Sequence, residues 1–424
     1  MGVASIPLIL AVLLATGVPI AATLGLVTLY GLSARGIPLV SAIQSMFASL
    51  DSFSLMAVPF YILAGNIMQA GGISDRLVRL TNAMVGWLRG GLGAAAVLTS
   101  MIFACISGSS SATTAAVGAT TIPAMAKKGY PKPFAASLVA SSGELGAIIP
   151  PSLPMIIYGL VTNVSIGALF IAGIIPGLMI GGSLVVLVFV WAAIRGFDHT
   201  VPVSPAEWAR GVGRAFGDSI LSLFMPVLIL GGIYSGIFTP TEASVVAVAY
   251  GLFVSMAVYR EISWRDMGHV FIRSALTSAG ILLIVAVAAA FGFVLTINRI
   301  PHQVGQWIAS VAQDPVSFLI LVNVLLLVVG MFLETLAAIV ILAPILAPVA
   351  VSYGISPIHF GIVMIVNLAI GMLTPPIGVN LFIASEVAGL KIEKMIRALL
   401  VFIAVLITNL ALISYLPILS TILL

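Results

Sequence analysis

The sequence predicts an all-α polytopic membrane protein, an inverted repeat with two re-entrant helical hairpins and two broken helices. Three observations lead there. Of 424 residues, 61% are AVILMFWYC and only 7% are charged, against about 25% in an average soluble domain. The apolar stretches come in two kinds, long segments and pairs of shorter arms joined by polar tips. The glycine and proline punctuation of one half recurs in the other. Thirteen acids and 17 bases are too few to cover a soluble enzyme of this length or to line a nucleic-acid groove. The mean hydropathy of +1.26 places the chain in a bilayer. Cys105 is the only cysteine, which excludes an intrachain disulfide and a cysteine-based metal site.

A spanning helix needs roughly 20 apolar residues. Segments of that kind run over 3–31, 53–70, 134–164, 167–194, 219–236, 243–259, 274–298, 357–388 and 398–417. The first carries no basic leader and is expected to be a spanning helix rather than a cleaved signal. Arms 91–106 and 112–126 flank Ser107-Gly108-Ser109-Ser110-Ser111, and arms 316–331 and 336–350 flank Phe332-Leu333-Glu334-Thr335. At 1.5 Å per residue a 16-residue arm reaches about 24 Å, short of the roughly 30 Å hydrocarbon core. Short arms with a polar tip read as a re-entrant hairpin whose tip faces protein or water. Two tilted full spans with a polar turn are the alternative. The charged amphipathic pieces near 75–89, 204–216, 260–270 and 391–397 are expected along the inner surface, with Trp87, Trp208 and Trp264 as interfacial anchors.

Alternating the spans, with each hairpin returning to its own side, puts 15 of the 17 Lys and Arg on one face and leaves Arg35 and Arg299 on the other. The positive-inside rule then places the N-terminus in the cytoplasm and the C-terminus outside. The first hairpin enters from the cytoplasm and the second from outside.

An offset of 225 residues superposes Pro123 on Pro348, Gly129 on Gly354, Gly146 on Gly371, Pro150 on Pro375 and Pro151 on Pro376. This points to duplication, and opposite entry sides make the repeat inverted. The first repeat is expected over 53–164, with hairpin 91–126 and break 146–152. The second is expected over 274–388, with hairpin 316–350 and break 371–377, and 165–273 connects them. Each Pro-Pro pair removes two backbone donors and disfavours helix before it. The helix must unwind there, exposing carbonyls and a half-helix N-terminus near mid-membrane, as secondary transporters do to hold cations and anionic substrates. A plain proline kink is the alternative.

Four stretches carry a resemblance: Ser107-Gly-Ser-Ser-Ser-Ala-Thr113, Gly143-Glu-Leu-Gly-Ala-Ile-Ile-Pro-Pro-Ser152, Gly236-Ile-Phe-Thr-Pro-Thr-Glu-Ala243 and Gly371-Met-Leu-Thr-Pro-Pro-Ile-Gly-Val-Asn380. Together they resemble the large membrane subunit, of DctM type, of the tripartite ATP-independent periplasmic (TRAP) transporters. The resemblance covers essentially the whole chain. It implies an elevator-type, sodium-coupled importer of an organic acid (a dicarboxylate, sialic acid or similar carboxylate) in a bacterial inner membrane. It also implies a small four-helix membrane subunit and a periplasmic substrate-binding protein as partners, Na⁺ as coupling ion, no cofactor and no enzymatic activity.

One cation site is expected where the first tip meets the first break, from Ser107, Ser109, Gly146, Ile149 and Pro151, whose oxygens suit a hard cation; the resemblance supports Na⁺ there. The repeat and the resemblance put a second at Thr335, Gly371, Thr374 and Pro376. Candidates for substrate binding or coupling are Ser110, Ser111, Glu144, Ser152, Glu334 and Asn380. Glu334 is an acid expected at mid-membrane, where a lone charge costs at least a few kcal/mol; its alternative is a neutral acid bonded to backbone. Asn380 and Asn367 flank the second break, as amides for a carboxylate or as interhelical links. Thr239-Pro-Thr-Glu242 is explained locally as a helix capping box.

Two other functions compete. A stand-alone ion-coupled dicarboxylate transporter would need no binding protein. An intramembrane serine protease at Ser109 would need an activating base; His199, His269 and His302 fall in expected surface loops, and His359 near the outer end of a span, far from the first tip.

Overall fold

The computed structural model describes residues 5–198, 203–376 and 378–424. His199, the start of the 3–31 segment and Ile377 of the second break lie outside them. Every regular element among the described residues is helical. Seven helices are long and apolar enough to cross a membrane, or nine if each sharply bent pair counts as one span.

The 3–31 segment is not one span, as expected, but two helices, α1 (Ser5–Ala15) and α2 (Ile20–Ala34). Gly17 sits at φ +78°, and Pro19, preceding the second helix, lacks a donor and disfavours helix at Val18. Next come α3 (Val40–Leu50), α4 (Ala57–Ala70) and the amphipathic α5 (Ile73–Val85). Helix α3 carries no continuous apolar run, because Ser41, Gln44, Ser45 and Ser49 interrupt it. The first hairpin is α6 (Gly91–Ser107) and α7 (Ser110–Lys127). The first broken helix is α8 (Lys132–Gly143), the single turn α9 (Leu145–Ile148) and α10 (Leu153–Thr162). Helix continues through Gly146, so the extended backbone begins at Ile149 rather than at the expected 146.

Three long helices follow or straddle the connection: α11 (Ile166–Arg195), α12 (Pro205–Tyr234) and, after α13 (Pro240–Leu252), α14 (Trp264–Ile297). The pieces 204–216 and most of 260–270 do not lie as separate surface helices; they are the first turns of α12 and α14. Capping boxes at Ser204 with Glu207 and at Ser263 with Asp266 start the helices there, and nothing after them breaks the turn. His269 is therefore helical, not in a loop, and His302 sits in α15 (Ile300–Val311). The second hairpin is α16 (Pro315–Gly330) and α17 (Thr335–Ser352), and the second broken helix is α18 (Pro357–Gly371) and α19 (Val379–Ala388). The chain ends with α20 (Ile392–Tyr415), which absorbs 391–397, and the short α21 (Ile418–Thr421).

Adding 225 to the bounds of α7 gives those of α17, and α5, α6, α8–α9, α10 and the start of α11 land within two residues of α15, α16, α18, α19 and the start of α20. Packing follows the same exchange. Helix α10 packs on α17 and α19 on α7; α20 packs on α8 and α11 on α18. Swapping the repeats turns each contact into its partner, so the halves are related by an approximate two-fold. A separate group, α2, α3, α4 and α13, is gathered by α14 and by the α4–α13 contact.

Candidate functional site

The first tip is a two-residue turn, Gly108-Ser109, between two helices. Gly108 stands at φ +59°, and a Cβ there would lie 2.9 Å from the Pro151 carbonyl oxygen. Only glycine permits both the left-handed backbone and that approach. The Leu153 amide donates to the Gly108 carbonyl at 3.1 Å, stitching the tip to the break. Gly146 packs directly under the Ser109 carbonyl. Ser107, Ser109, Gly146, Ile149 and Pro151 are thus drawn to one neighbourhood, and all but Ser109 are buried.

Thr113 belongs with them and was not singled out. Its hydroxyl lies 2.8 Å from Ser107 Oγ and donates to the Ser109 carbonyl at 2.9 Å. The signal was present, since a threonine four residues after Ser109 shares its helix face. The Ser109 carbonyl also accepts the Thr113 amide at 3.0 Å. The donor set around the tip is all oxygen, as a hard cation requires, and the hydroxyls can rotate to present lone pairs. Ser109 Oγ caps α7, accepting from the Ala112 amide, and Ser152 Oγ caps α10, accepting from the Met155 amide. The Ser152 hydroxyl donates to the Ala147 carbonyl.

The second break is built differently. Gly371 lies against Gly330 of the hairpin arm, where a Cβ on Gly371 would come 2.6 Å from Gly330 Cα. Thr335 turns its hydroxyl to Met372 Sδ at 2.8 Å. Thr374 donates its hydroxyl to the Ile370 carbonyl at 3.0 Å and its amide to the Gly371 carbonyl at 2.8 Å. The first break is wholly buried, whereas Thr374 is half-buried and Pro376 exposed. Thr335 and Gly371 therefore sit inside the packing, and Pro376 does not.

Glu334 is the N-cap of α17, its Oε2 accepting from the Leu336 amide at 2.9 Å and the Ala337 amide at 3.4 Å. Bonding to backbone is the alternative set out from the sequence. Asn380 meets a carboxylate, but the chain's own: its Nδ2 donates to Glu144 Oε1 at 2.6 Å. Asn367 links helices, donating to the Asn323 side chain at 2.8 Å. Thr239 and Glu242 form the expected capping box. His359 is buried against Ser420 and the Ser414 carbonyl.

The two tips meet. Gly108, Ser109, Ser110 and Ser111 line one cavity of about 20 Å³ with Leu153, Pro154, Glu334, Thr335, Leu336 and Met372. Helices α10 and α17 lead from it to a crevice of about 880 Å³, where Leu160 and Val340 face Ser49, Ser52, Thr241 and Thr296 of the α14 group. Among the described residues no Lys or Arg lines either space.

A model of the family described as the tripartite ATP-independent periplasmic transporter, DctM component, matches residues 8–419. The C4-dicarboxylate TRAP transporter large permease protein DctM of Pseudomonas aeruginosa is 43% identical over 88% of this chain and 87% of that protein. The isethionate TRAP transporter permease protein DctMQ of Oleidesulfovibrio alaskensis is 44% identical over 96% of this chain, which spans 64% of its length. The crystal structure of the Alcanivorax borkumensis YdaH transporter has the same fold, with a TM-score of 0.65 at 16% identity, covering 88% of this chain and 86% of that one.

Proposed function

The chain belongs to the DctM component family of the tripartite ATP-independent periplasmic transporters, and from that premise we propose that it imports an organic acid coupled to Na⁺ by an elevator motion. The observation that carries this is the meeting of both hairpin tips, beside both breaks, at one small cavity where Ser109, Ser110, Ser111, Glu334 and Thr335 stand among apolar side chains. The tips and breaks pack on one another across the repeats, so they move as one body. The group around α14 is the stationary part, and the hydroxyl-lined crevice between the two is the outer approach of the substrate.

Na⁺ is held first by oxygens of Ser107, Ser109, Gly146, Ile149 and Pro151, with Thr113 added, and second by Thr335, Gly371, Thr374 and Pro376. Ser110, Ser111, Ser152 and Glu334 face or cap the elements around the cavity and are the candidates for substrate contact. With no basic side chain among the described residues lining either space, the substrate's negative charge is balanced by the bound cations. The inward Na⁺ gradient supplies the work, assisted by about 2.3 kcal/mol per charge at 100 mV. A periplasmic binding protein delivers the acid, and a small membrane subunit completes the complex in the inner membrane, with the N-terminus cytoplasmic and the C-terminus periplasmic. Relatives named for C4-dicarboxylate, isethionate and sialic acid support an organic acid as the substrate class.

Proteoliposomes holding both membrane subunits test this. Uptake should require external Na⁺ and the loaded binding protein. Undiminished uptake with K⁺ replacing Na⁺ refutes the coupling, and full uptake by this chain alone favours a stand-alone transporter.

A further inference from the structure

Neither proposed cation site uses the polar cluster beneath the first tip. Glu144, between α8 and α9, is fully buried. Its Oε1 accepts from Asn380, but its Oε2 has no hydrogen-bond partner. The two ion pairs among the described residues, Arg76–Glu261 and Lys128–Asp198, do not involve it. Asn380 Oδ1 and Thr114 Oγ1 are likewise buried without partners. Thr114 presses on Gly143, the residue before Glu144, so closely that a Cβ there would fall on its hydroxyl. Ser110, one turn before Thr114 on the same face of α7, comes close enough to the Glu144 carboxyl to lower the cost of its charge but does not complete a hydrogen bond to Oε2, and it also lines the tip cavity.

Two orphaned oxygens, on Asn380 and Thr114, thus accompany a buried carboxyl whose own Oε2 is also unpaired, where α7, α8–α9 and α19 pack. Buried polar atoms are nearly always paired, so a set of unpaired ones calls for a missing partner. A carboxylate in that position, without a countercharge, would cost several kcal/mol.

We propose that Glu144, Asn380 and Thr114 bind a third monovalent metal cation, Na⁺, which reaches them from the tip cavity past Ser110. The charge arithmetic selects the valence. One carboxylate and neutral oxygens balance a single positive charge. A divalent ion would be left uncompensated, and Ca²⁺ requires 6–8 oxygens. No group of three acidic, histidine or cysteine ligands occurs among the described residues. The placement gives the ion a role as well. Glu144 and Thr114 belong to the first repeat and Asn380 to the second, so the cation ties the repeats together and its binding stabilises their packing.

The inference rests on the sodium-coupled reading above, and the test separates the two. Binding of radiolabelled Na⁺, and thermal stabilisation by NaCl over choline chloride, are measured on the purified complex with its small subunit. Glu144→Gln keeps the shape and the acceptor for Asn380 but removes the charge. It should bind one Na⁺ fewer per chain, and the Na⁺ concentration for half-maximal stabilisation should rise about tenfold or more, the equivalent of 1.4 kcal/mol. Thr114→Val, the milder change, should shift the same midpoint upward severalfold, and it carries the test if Glu144→Gln does not fold. Wild-type stoichiometry and midpoint in both variants mean that water satisfies these oxygens, which overturns the third site and leaves sodium coupling standing. No Na⁺ binding to the wild type overturns both.

Discussion

The contact between Gly330 and Gly371 makes the second hairpin the place to test whether arm and break are one rigid unit. A Cβ built on Gly371 would lie 2.6 Å from Gly330 Cα and 2.8 Å from its carbonyl carbon. Carbon atoms in contact prefer about 3.5–4.0 Å, so Gly371→Ala must move one backbone by roughly 1 Å. Both partners are backbone, and no side chain can rotate away. Overpacking of this kind costs typically 1–3 kcal/mol, which lowers the population of the closed packing about 5- to 150-fold. The displaced arm carries Glu334 and Thr335, so the tip moves too. Gly268→Ala in α14 is the control, because nothing lies within 4 Å of its added carbon and alanine favours helix by about 1 kcal/mol. Thermal unfolding of the purified complex in detergent, followed by uptake in proteoliposomes, reads both effects. Gly371→Ala should unfold at lower temperature and transport poorly, while Gly268→Ala should match or exceed the wild type in stability. Equal behaviour of the two variants would refute the backbone-to-backbone packing of arm on break.

Pro150→Ala combined with Pro151→Ala restores two backbone donors and lets α9 run on into α10; uptake should be lost while the complex still assembles, and retained coupled uptake would refute the broken-helix mechanism. Asp198 closes the base of the first hairpin, its Oδ2 accepting from the Tyr130 hydroxyl at 2.6 Å and the Leu92 amide at 3.2 Å, with Lys128 at 3.7 Å from Oδ1. Asp198→Ala strands these buried donors and should destabilise by about 3 kcal/mol in thermal or denaturant unfolding, whereas Asp198→Asn, which keeps an acceptor, should lose less. Asp314 caps α16, and the Ser317 amide, then its hydroxyl, hold the carboxyl below the ordinary aspartate range. A lowered folded value means that the cap is fully effective above the free aspartate pKa and fades as pH falls through the folded one. Hydrogen exchange at residues 316–318, corrected for its intrinsic pH dependence, should lose protection over that acid range in the wild type and show no such step in Asp314→Ala.

Much of this molecule was legible in order along the chain. Composition fixed the solvent, because 61% apolar residues cannot be hidden inside one globule. The 225-residue offset located both hairpins and both breaks, because glycine and proline mark backbone geometry directly. Capping boxes were equally readable where they were looked for, as at Thr239, since cap and partner lie within one turn. The same motif stands at Ser204 and Ser263, and the charged turns after them, expected along the membrane surface, are the first turns of α12 and α14.

Other features depend on residues far apart in sequence, and only the tertiary structure decided them. Glu144 and Asn380 each drew attention alone, but their bond joins positions 236 apart. Asp198, at the base of the first hairpin, had no local signal at all. The two breaks share punctuation yet differ in burial: the first is wholly buried, while Pro376 of the second is exposed. Local chemistry determined where the backbone must turn, since a missing donor or Cβ acts within a few residues. Which turns meet, and which buried oxygens remain unpaired, was decided by packing between the repeats, which no single stretch of sequence contains.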